Sequence, residues 1–495
     1  MDFGYPWWLR IEHVLNIIFM SFLIRSGIEI LATHPRLYWN DHCKPGSEWA
    51  KFTKKVMPKD KLYDSLDMEE DYSPIVSMPG HSELGLGRHW HFITVFGWIL
   101  TGLSYLLILF ATGQYHRYIP YSWEIFPLAW QNIVTYLSFE LPQTLPGQPF
   151  NAIQQLAYGG AIFVLAPFQI LTGLFQGPAI EARFPRLLRL MGGRQWVRSL
   201  HFFGLMAWIA FIIVHLLMVA VHNFGIETAK IIFGEEVNPR YATGIALGAI
   251  IGIVIMHIVA TKLTLWYPRR TQKLLGAVTD NARRLLLRPL MSRQRYSKAD
   301  ISPAHGVNGK PPITDNYKVM AAHNFVDWKV EIGGLVERPM ALSLGDLRTF
   351  PTQQTQRTLH NCIQGWTSVG EWTGVPLRQI VELVKPLPEA RYICFLTMQD
   401  SGRDEPSAEG QGQFYEVVDL DLAYHPQTIL AYEMNGEPLP IKHGAPLRLR
   451  VETQVGFKMA KFIERIEFID DHSNIGEGMG GWREDNVFYD KDVGI

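Results

Sequence analysis

The chain has 495 residues, enough for two or three domains, and a formal net charge of −1, which leaves no electrostatic footprint for nucleic acid. Its three cysteines, Cys43, Cys362 and Cys394, are too few and too scattered for a disulfide framework or a clustered iron–sulfur ligand set. Residues 1–270 carry long apolar runs, whereas 300–495 read as an ordinary water-soluble domain.

The N-terminus, MDFGYPWWLRIEH, has no basic n-region, no small-residue cleavage site and no twin-arginine leader, so the first apolar segment is expected to stay as a membrane anchor. A spanning helix needs about 20 mostly apolar residues. Five segments qualify: 8–31, 92–112, 152–176, 199–222 and 242–266. The stretch 123–139, WEIFPLAWQNIVTYLSF, is aromatic, is interrupted by Pro127, and reads as interfacial or re-entrant. Lys and Arg number eight in 32–91, five in 177–198 and nine in 263–300, against one in 1–10, one in 113–151 and two in 223–241. The positive-inside rule then predicts a multi-pass protein of the inner (plasma) membrane, with the first loop, the third loop and the C-terminal domain in the cytoplasm. Residues 268–312 read as a basic linker, either an amphipathic helix on an anionic lipid surface or a solvated connection. From 313 on the period changes to 2 in WKVEIGGLV, LRLRVETQV and FIERIEFID, the alternation of half-buried strands. Gly333-Gly334 and Asn435-Gly436 mark turns, and LRQIVELV a short helix. The expected architecture is a membrane α-helical bundle over 1–267, the linker, and a soluble α+β, mainly β, domain over 313–495.

Ligand-capable residues inside a bilayer are costly and usually functional. His13 and His91 lie near the starts of helices 1 and 2, on opposite membrane sides because successive helices alternate direction. His201 and His215 share helix 4. Their fourteen-residue spacing is about 21 Å and nearly four whole turns, so they share one face at two depths. Two pairs follow, His91 with His201 and His13 with His215, the arrangement that bis-histidine ligation of two b haems needs. His89 rivals His91, and His257 reads as packing or as lining of a quinone site. Arg10, Arg88 and Arg198 each precede a proposed ligand by three residues, placed for haem propionates or for plain interface anchoring. Gly27, Gly102 and Gly173 give room for a macrocycle or for helix packing.

Arg-Ile-Glu-His13-Val-Leu-Asn with Ser26-Gly27, Gly-Arg-His-Trp-His91-Phe with Thr101-Gly102, and Arg-Ser-Leu-His201-Phe with His215 resemble the diheme cytochrome b subunits of hydrogenases, formate dehydrogenases and thiosulfate reductases. The resemblance covers about residues 5–265 and implies electron exchange with membrane quinone. Those relatives usually start helix 1 from the cytoplasm, whereas the charge count here argues the reverse.

In TLHNCIQGWTSVGEWTGVPLRQIVELV, one cysteine stands in a polar, aromatic, Gly-rich setting, as suits a nucleophile, a soft metal ligand or a buried thiol. Cys362 with Trp366 and Trp372-Thr-Gly-Val-Pro-Leu377, His323-Asn324-Phe325, His425-Pro426, Gly444-Ala-Pro-Leu-Arg448 and Gly456-Phe457-Lys458 together resemble the molybdopterin domain of the sulfite-oxidase fold. The likeness is greatest to the catalytic subunit of bacterial methionine-sulfoxide reductases. The arginine-rich stretch that follows the cysteine in sulfite oxidases is missing. The resemblance implies Cys362 as molybdenum ligand and catalytic centre. It implies cofactor contacts at His323, Asn324, Asp327, Thr397, His443, Arg448, Gly456 and Lys461, with His323 and His443 standing where those relatives carry asparagine. Arg448, Lys461 and the Gly456 turn suit an anionic pterin phosphate. Cys394, in YICFLT, reads as core.

The expected protein is a membrane molybdoenzyme holding two b haems and a molybdenum–molybdopterin. It passes electrons from quinol through the His13/His215 haem and then the His91/His201 haem, and reduces an S- or N-oxide. The rivals are sulfite-type oxidation feeding quinone, and a non-enzymatic haem-b conduit with a degenerate tail domain.

Overall fold

The computed structural model describes residues 4–56, 65–234, 237–400 and 413–493, so Lys59 and Lys61 of the first-loop charge count lie outside the described residues. Among the described residues, five helices are long and apolar enough to cross a membrane: α1 Trp7–Thr33, α2 Leu84–Ala111, α3 Ala152–Leu174, α4 Arg194–Val221 and α5 Pro239–Trp266. They coincide with the five expected segments. α2 and α4 begin earlier than hydropathy indicates because Leu84–His91 and Arg194–Arg198 continue the helical backbone through polar turns that an apolar window does not count.

Local chemistry explains α3. Asn151 accepts from the Gln154 N–H at 3.0 Å while its own N–H donates to the Gln154 side chain at 3.0 Å, a reciprocal cap. Ala161–Leu165 form a π turn. Pro167 just beyond has no N–H to give, and the wider turn absorbs the missing bond. Ile125–Leu137, inside the aromatic stretch, is a 13-residue helix, too short to span, with Pro127 tolerated in its first turn.

The chain packs as two compact units. The first, Met1–Gly27, Trp90–Gly173 and Leu200–Trp266, holds the bodies of the five long helices. Within it Trp98 Nε1 donates to Asn16 Oδ1 at 2.8 Å and Phe22 stacks on Trp90 at 5.2 Å, both joining α1 to α2.

The second unit gathers Ile28–His89, Leu174–Ser199 and Tyr267–Ile495. It opens with α6, Pro268–Leu287, the first part of the expected linker. The buried positions Gln272, Gly276, Thr279, Arg283 and Leu287 recur every three to four residues and so share one face. That face is polar and finds polar partners. Gln272 Nε2 donates to the carbonyls of Glu484 and Tyr489 at 3.0 and 2.8 Å, and Arg283 pairs with Asp490 at 2.6 Å. The segment is therefore a docked helix rather than a solvated connection.

Nine strands of four or more residues follow among the described residues: β1 Lys329–Gly334, β2 Met340–Ser343, β3 Gln354–Asn361, β4 Thr367–Pro376, β5 Tyr392–Asp400, β6 Gln413–Asp419, β7 Thr428–Met434, β8 Arg448–Val451 and β9 Ile463–Ile469. One sheet runs β2-β1-β9-β5-β6, with β9 parallel to β1 and the other neighbours antiparallel. The other runs β3-β4-β7, with β8 also on β7, all antiparallel. Helix Leu377–Val384 buries Leu377, Ile380, Val381 and Val384, the i, i+3, i+4, i+7 stripe of an amphipathic helix. The alternation in β1 is the expected one, but β8 is buried on both faces. Its polar side carries Arg448 and Arg450, whose guanidinium groups lie 4.7 and 4.2 Å from the Trp372 ring centroid.

Candidate functional site

Cys362 follows the last residue of β3 and opens a tight turn into β4. Its N–H donates to the Trp366 carbonyl at 3.1 Å, and the Gly365 N–H returns to the Cys362 carbonyl at 3.0 Å. Gly365 has φ +78, and a Cβ there would lie 2.7 Å from His34 Cβ, so the turn takes only glycine. The thiol is buried and accepts from the Gln364 N–H at 3.4 Å. Burial pushes it up to about 12.

Segments from the first and third loops brace this turn from behind. Gln195 Nε2 donates to the Gly365 carbonyl at 2.8 Å. Asp41 caps the first turn of α4 by accepting from the Gln195 N–H at 2.8 Å, and its carbonyl accepts from Thr367 Oγ1 at 2.8 Å. Arg198 donates to the carbonyls of Arg36, at 2.9 Å, and His34, so it serves the loop backbone.

A cavity of about 80 Å³ opens at Cys362. Thr397, His443, Arg448, Gly456 and Lys461 line it, so six of the sequence-predicted residues, Cys362 included, come together. His323, Asn324 and Asp327 do not: they are exposed and absent from the wall. Asn324 and Phe325 both have positive φ, +53 and +56, and the sharp turn they make sends Phe325 and Trp328 into the core and the polar side chains outward. His305–Gly309, which the sequence reading left in the linker, lines the wall instead.

Three imidazoles meet at the wall, with His305 ring centroids 5.4 Å from His360 and 5.3 Å from His443. Arg450 donates to His360 Nδ1 at 2.9 Å, and Ser368 Oγ meets His305 Nδ1 at 2.6 Å. Burial, then Arg448, Lys442 and Lys461, hold His443 down to about 3. Burial, aided by neighbouring cations, holds His305 and His360 well below the usual imidazole range. All three are neutral at pH 7. His305, His360, Glu416 and Arg483 escaped the sequence reading; only His360 was signalled, standing two residues before Cys362 in TLHNC.

The wall fits a phosphate-bearing, thiolate-bound cofactor. Among the described residues, Lys442, Arg448, Lys461 and Arg483 face it against one carboxylate, Glu416. Arg448 Nε is buried with no hydrogen-bond partner among the described residues. A Cβ on Gly456 would lie 2.4 Å from His360 Cε1, so a side chain there has no room.

In the helical unit, the His13 and His215 ring centroids are 6.2 Å apart, and both Nδ1 atoms are buried without a hydrogen-bond partner among the described residues. One metal between two ring nitrogens, at bonds of about 2 Å as for zinc, fits that gap. His91 Nδ1 meets Ser26 Oγ at 3.0 Å and His201 Nδ1 meets Thr172 Oγ1 at 3.0 Å, contacts that orient the two rings, while His201 Nε2 lies 3.2 Å from the Gln169 side-chain amide. Gly27 and Gly173 sit against these rings, where a Cβ would lie 3.8 Å from His91 Cε1 and 3.3 Å from His201 Cε1. Gly102 faces open space. His89 is committed elsewhere, its Nδ1 2.9 Å from Asp490 Oδ1.

Comparison with known families agrees with both halves. Residues 4–235 match the model for prokaryotic cytochrome b561, and residues 317–475 match the oxidoreductase molybdopterin binding domain. The chain joins a membrane-helix region similar to prokaryotic cytochrome b561 to a region similar to the oxidoreductase molybdopterin binding domain. Its relatives include the protein-methionine-sulfoxide reductase catalytic subunit MsrP of Xanthomonas axonopodis pv. citri, 35% identical over 32% of this chain and 49% of that protein. MsrP of Campylobacter jejuni is 35% identical over 31% of this chain and 54% of that protein. The chain thus spans about half the length of the curated relatives it matches. Among solved structures, the sulfane dehydrogenase SoxCD of Paracoccus pantotrophus matches 32% of this chain and 45% of that chain, with 22% identity and a TM-score of 0.25.

Proposed function

We propose that the protein is a quinol-driven reductase that removes oxygen from a sulfoxide, with methionine sulfoxide, named for its relatives, as the substrate class. The observation that carries this reading is the buried Cys362 thiol at a cavity whose wall is cationic and whose imidazoles are neutral. When bound there, molybdenum–molybdopterin supplies the oxygen-atom and two-electron chemistry. Cys362 would hold the metal, whose charge removes the thiol proton that burial otherwise retains. Arg448 and Lys461 would fix the phosphate as charged donors. His305, His360 and His443 would set hydrogen bonds around the ring system without adding charge. Arg450 can only donate, so the His360 proton lies on Nε2.

His13 with His215, and His91 with His201, would each hold one b haem. An Ala replacement of His91 is expected to lose one haem of two. His89→Ala is expected to keep both, because His89 Nδ1 is engaged by Asp490 Oδ1 at 2.9 Å. A haem count that falls in the His89 variant and not in the His91 variant would reverse the assignment.

The reading as a whole is tested by metal analysis and by haem spectroscopy on the detergent-purified protein. Two haems and one molybdenum per chain are expected, with dithionite-reduced haems reoxidised on adding methionine sulfoxide. Reduction of oxidised haems by sulfite instead would reverse the direction of flow, and absence of molybdenum would leave only an electron conduit. The excess of Lys and Arg in the first and third loops and after α5 favours a cytoplasmic second unit. A reporter fused at the C-terminus should then be active in the cytoplasm; activity confined to the periplasm would invert the topology.

A further inference from the structure

The bundle contains a polar cluster that ligation of haem does not use. Arg25 on α1 meets His257 Nδ1 on α5 at 2.8 Å and donates to Thr261 Oγ1 at 3.1 Å. Ser21 Oγ meets His257 Nε2 at 2.8 Å. Two basic side chains inside a membrane span are costly, and helix packing alone is served by small or apolar residues. The cluster faces the lipid: Arg25 and His257 are half-buried, and Val254, Ile255 and Ile258 around His257 are exposed. Aromatic rings adjoin it, the buried Phe22 ring lying 4.0 Å from His257 and stacked on the half-buried Trp90. It also abuts a proposed haem ligand, since Ser26, next to Arg25, bonds His91 and Trp90 precedes His91 in the chain.

We propose that Arg25, His257, Ser21 and Thr261 form the site at which the ring of a membrane quinol binds and delivers electrons to the haem at His91. The ligand chemistry follows from the groups present. A planar, mostly apolar ring matches the half-buried Trp90 and the exposed aliphatic side chains beside His257, and ring oxygens match the guanidinium and hydroxyl groups. Each quinol oxidised to quinone releases two electrons, taken one at a time by the haem, and two protons, released to water. Electrons then enter beside His91, not at the His13/His215 haem expected from the sequence. This inference rests on the quinol-driven reading above.

The test uses the purified holoenzyme in lipid nanodiscs with a short-chain naphthoquinol as donor, following haem reduction optically. Arg25→Met and His257→Phe are expected to slow quinol-driven haem reduction at least tenfold, with the haem content and the dithionite-reduced spectrum retained, and Arg25→Lys to recover part of the rate. Wild-type rates in both variants overturn the site. Where R25M loses haem, Ser21→Ala and His257→Gln carry the judgement: at full haem content one of them slows quinol oxidation or the site falls. A wild-type protein that the quinol cannot reduce refutes the quinol-driven reading and the site with it.

Discussion

Replacing Cys362 by serine is expected to leave both haems in place and to slow their reoxidation by sulfoxide by more than about a hundredfold, beyond the cost of losing a residue one layer out from a metal. The substitution is nearly isosteric. The Gln364 N–H that reaches the sulfur at 3.4 Å can reach a hydroxyl oxygen, and the turn is held independently by the Cys362–Trp366 and Gly365–Cys362 backbone bonds. The fold should therefore survive, and the effect reports on ligation. Thiolate is a soft ligand suited to a soft or borderline metal, and a hydroxyl is neither soft nor readily ionised. Burial already disfavours the charged form of the thiol, which a bound metal would have to offset; for a hydroxyl the same burial acts on a much weaker acid. Stopped-flow haem reoxidation beside molybdenum content separates the two ways of failing, loss of the metal and loss of its chemistry. Wild-type reoxidation by C362S would show that Cys362 does not bind the metal.

The parts of the molecule visible in the sequence are those governed by short-range periodicity. Hydropathy locates the five helices, and the fourteen-residue spacing alone puts His201 and His215 on one face. Alternation marked β1, β8 and β9, yet for β8 it marked only the strand. Arg448 and Arg450 stand on the polar side of that alternation, and they are buried because Trp372 and His360 receive them from other strands and Glu452, two residues on, pairs with Arg450. Long-range contacts carry no local signature. Nothing in the first loop shows that Asp41 caps α4 and holds Thr367, or that Gln195 reaches the Gly365 carbonyl. His323, Asn324 and Asp327 illustrate the opposite error: a matched motif gives residue identities but not which side of a turn they leave from. The turn at Asn324 and Phe325 spends its apolar residues on the core, and His305–Gly309 supplies the wall.

The second large effect is expected from Lys458→Met. Lys458 is 1% exposed and is held by Glu416 at 2.7 Å and by Glu484, whose side chains are 6% and 0% exposed. Burial opposes the ammonium charge, but the two carboxylates outweigh it and hold Lys458 above its usual range. Removing one member of such a group leaves the others buried and uncompensated, at about 3–5 kcal/mol. There is little room to relax: a Cβ on Gly481 would already lie 2.7 Å from Glu416 Oε2. The sign of the pH dependence follows. Glu416 stands well above the usual carboxylate range even beside Lys458, pushed up by burial first and by Glu484 second. Without the cation it rises further, so the folded variant keeps a proton that an unfolded Glu releases near pH 4.3. Stability of the variant then falls as pH rises above about 4.3, and its deficit against wild type widens only above the pH at which Glu416 beside Lys458 releases its own proton. Thermal unfolding across that range, followed by intrinsic fluorescence, measures it. Glu416→Gln and Glu484→Gln added to K458M should restore most of the loss, because the whole charged group is then gone and no carboxylate is left uncompensated. A K458M protein that unfolds at the wild-type temperature at every pH would mean that the three side chains are not the buried ionic cluster the structure places beside the cavity.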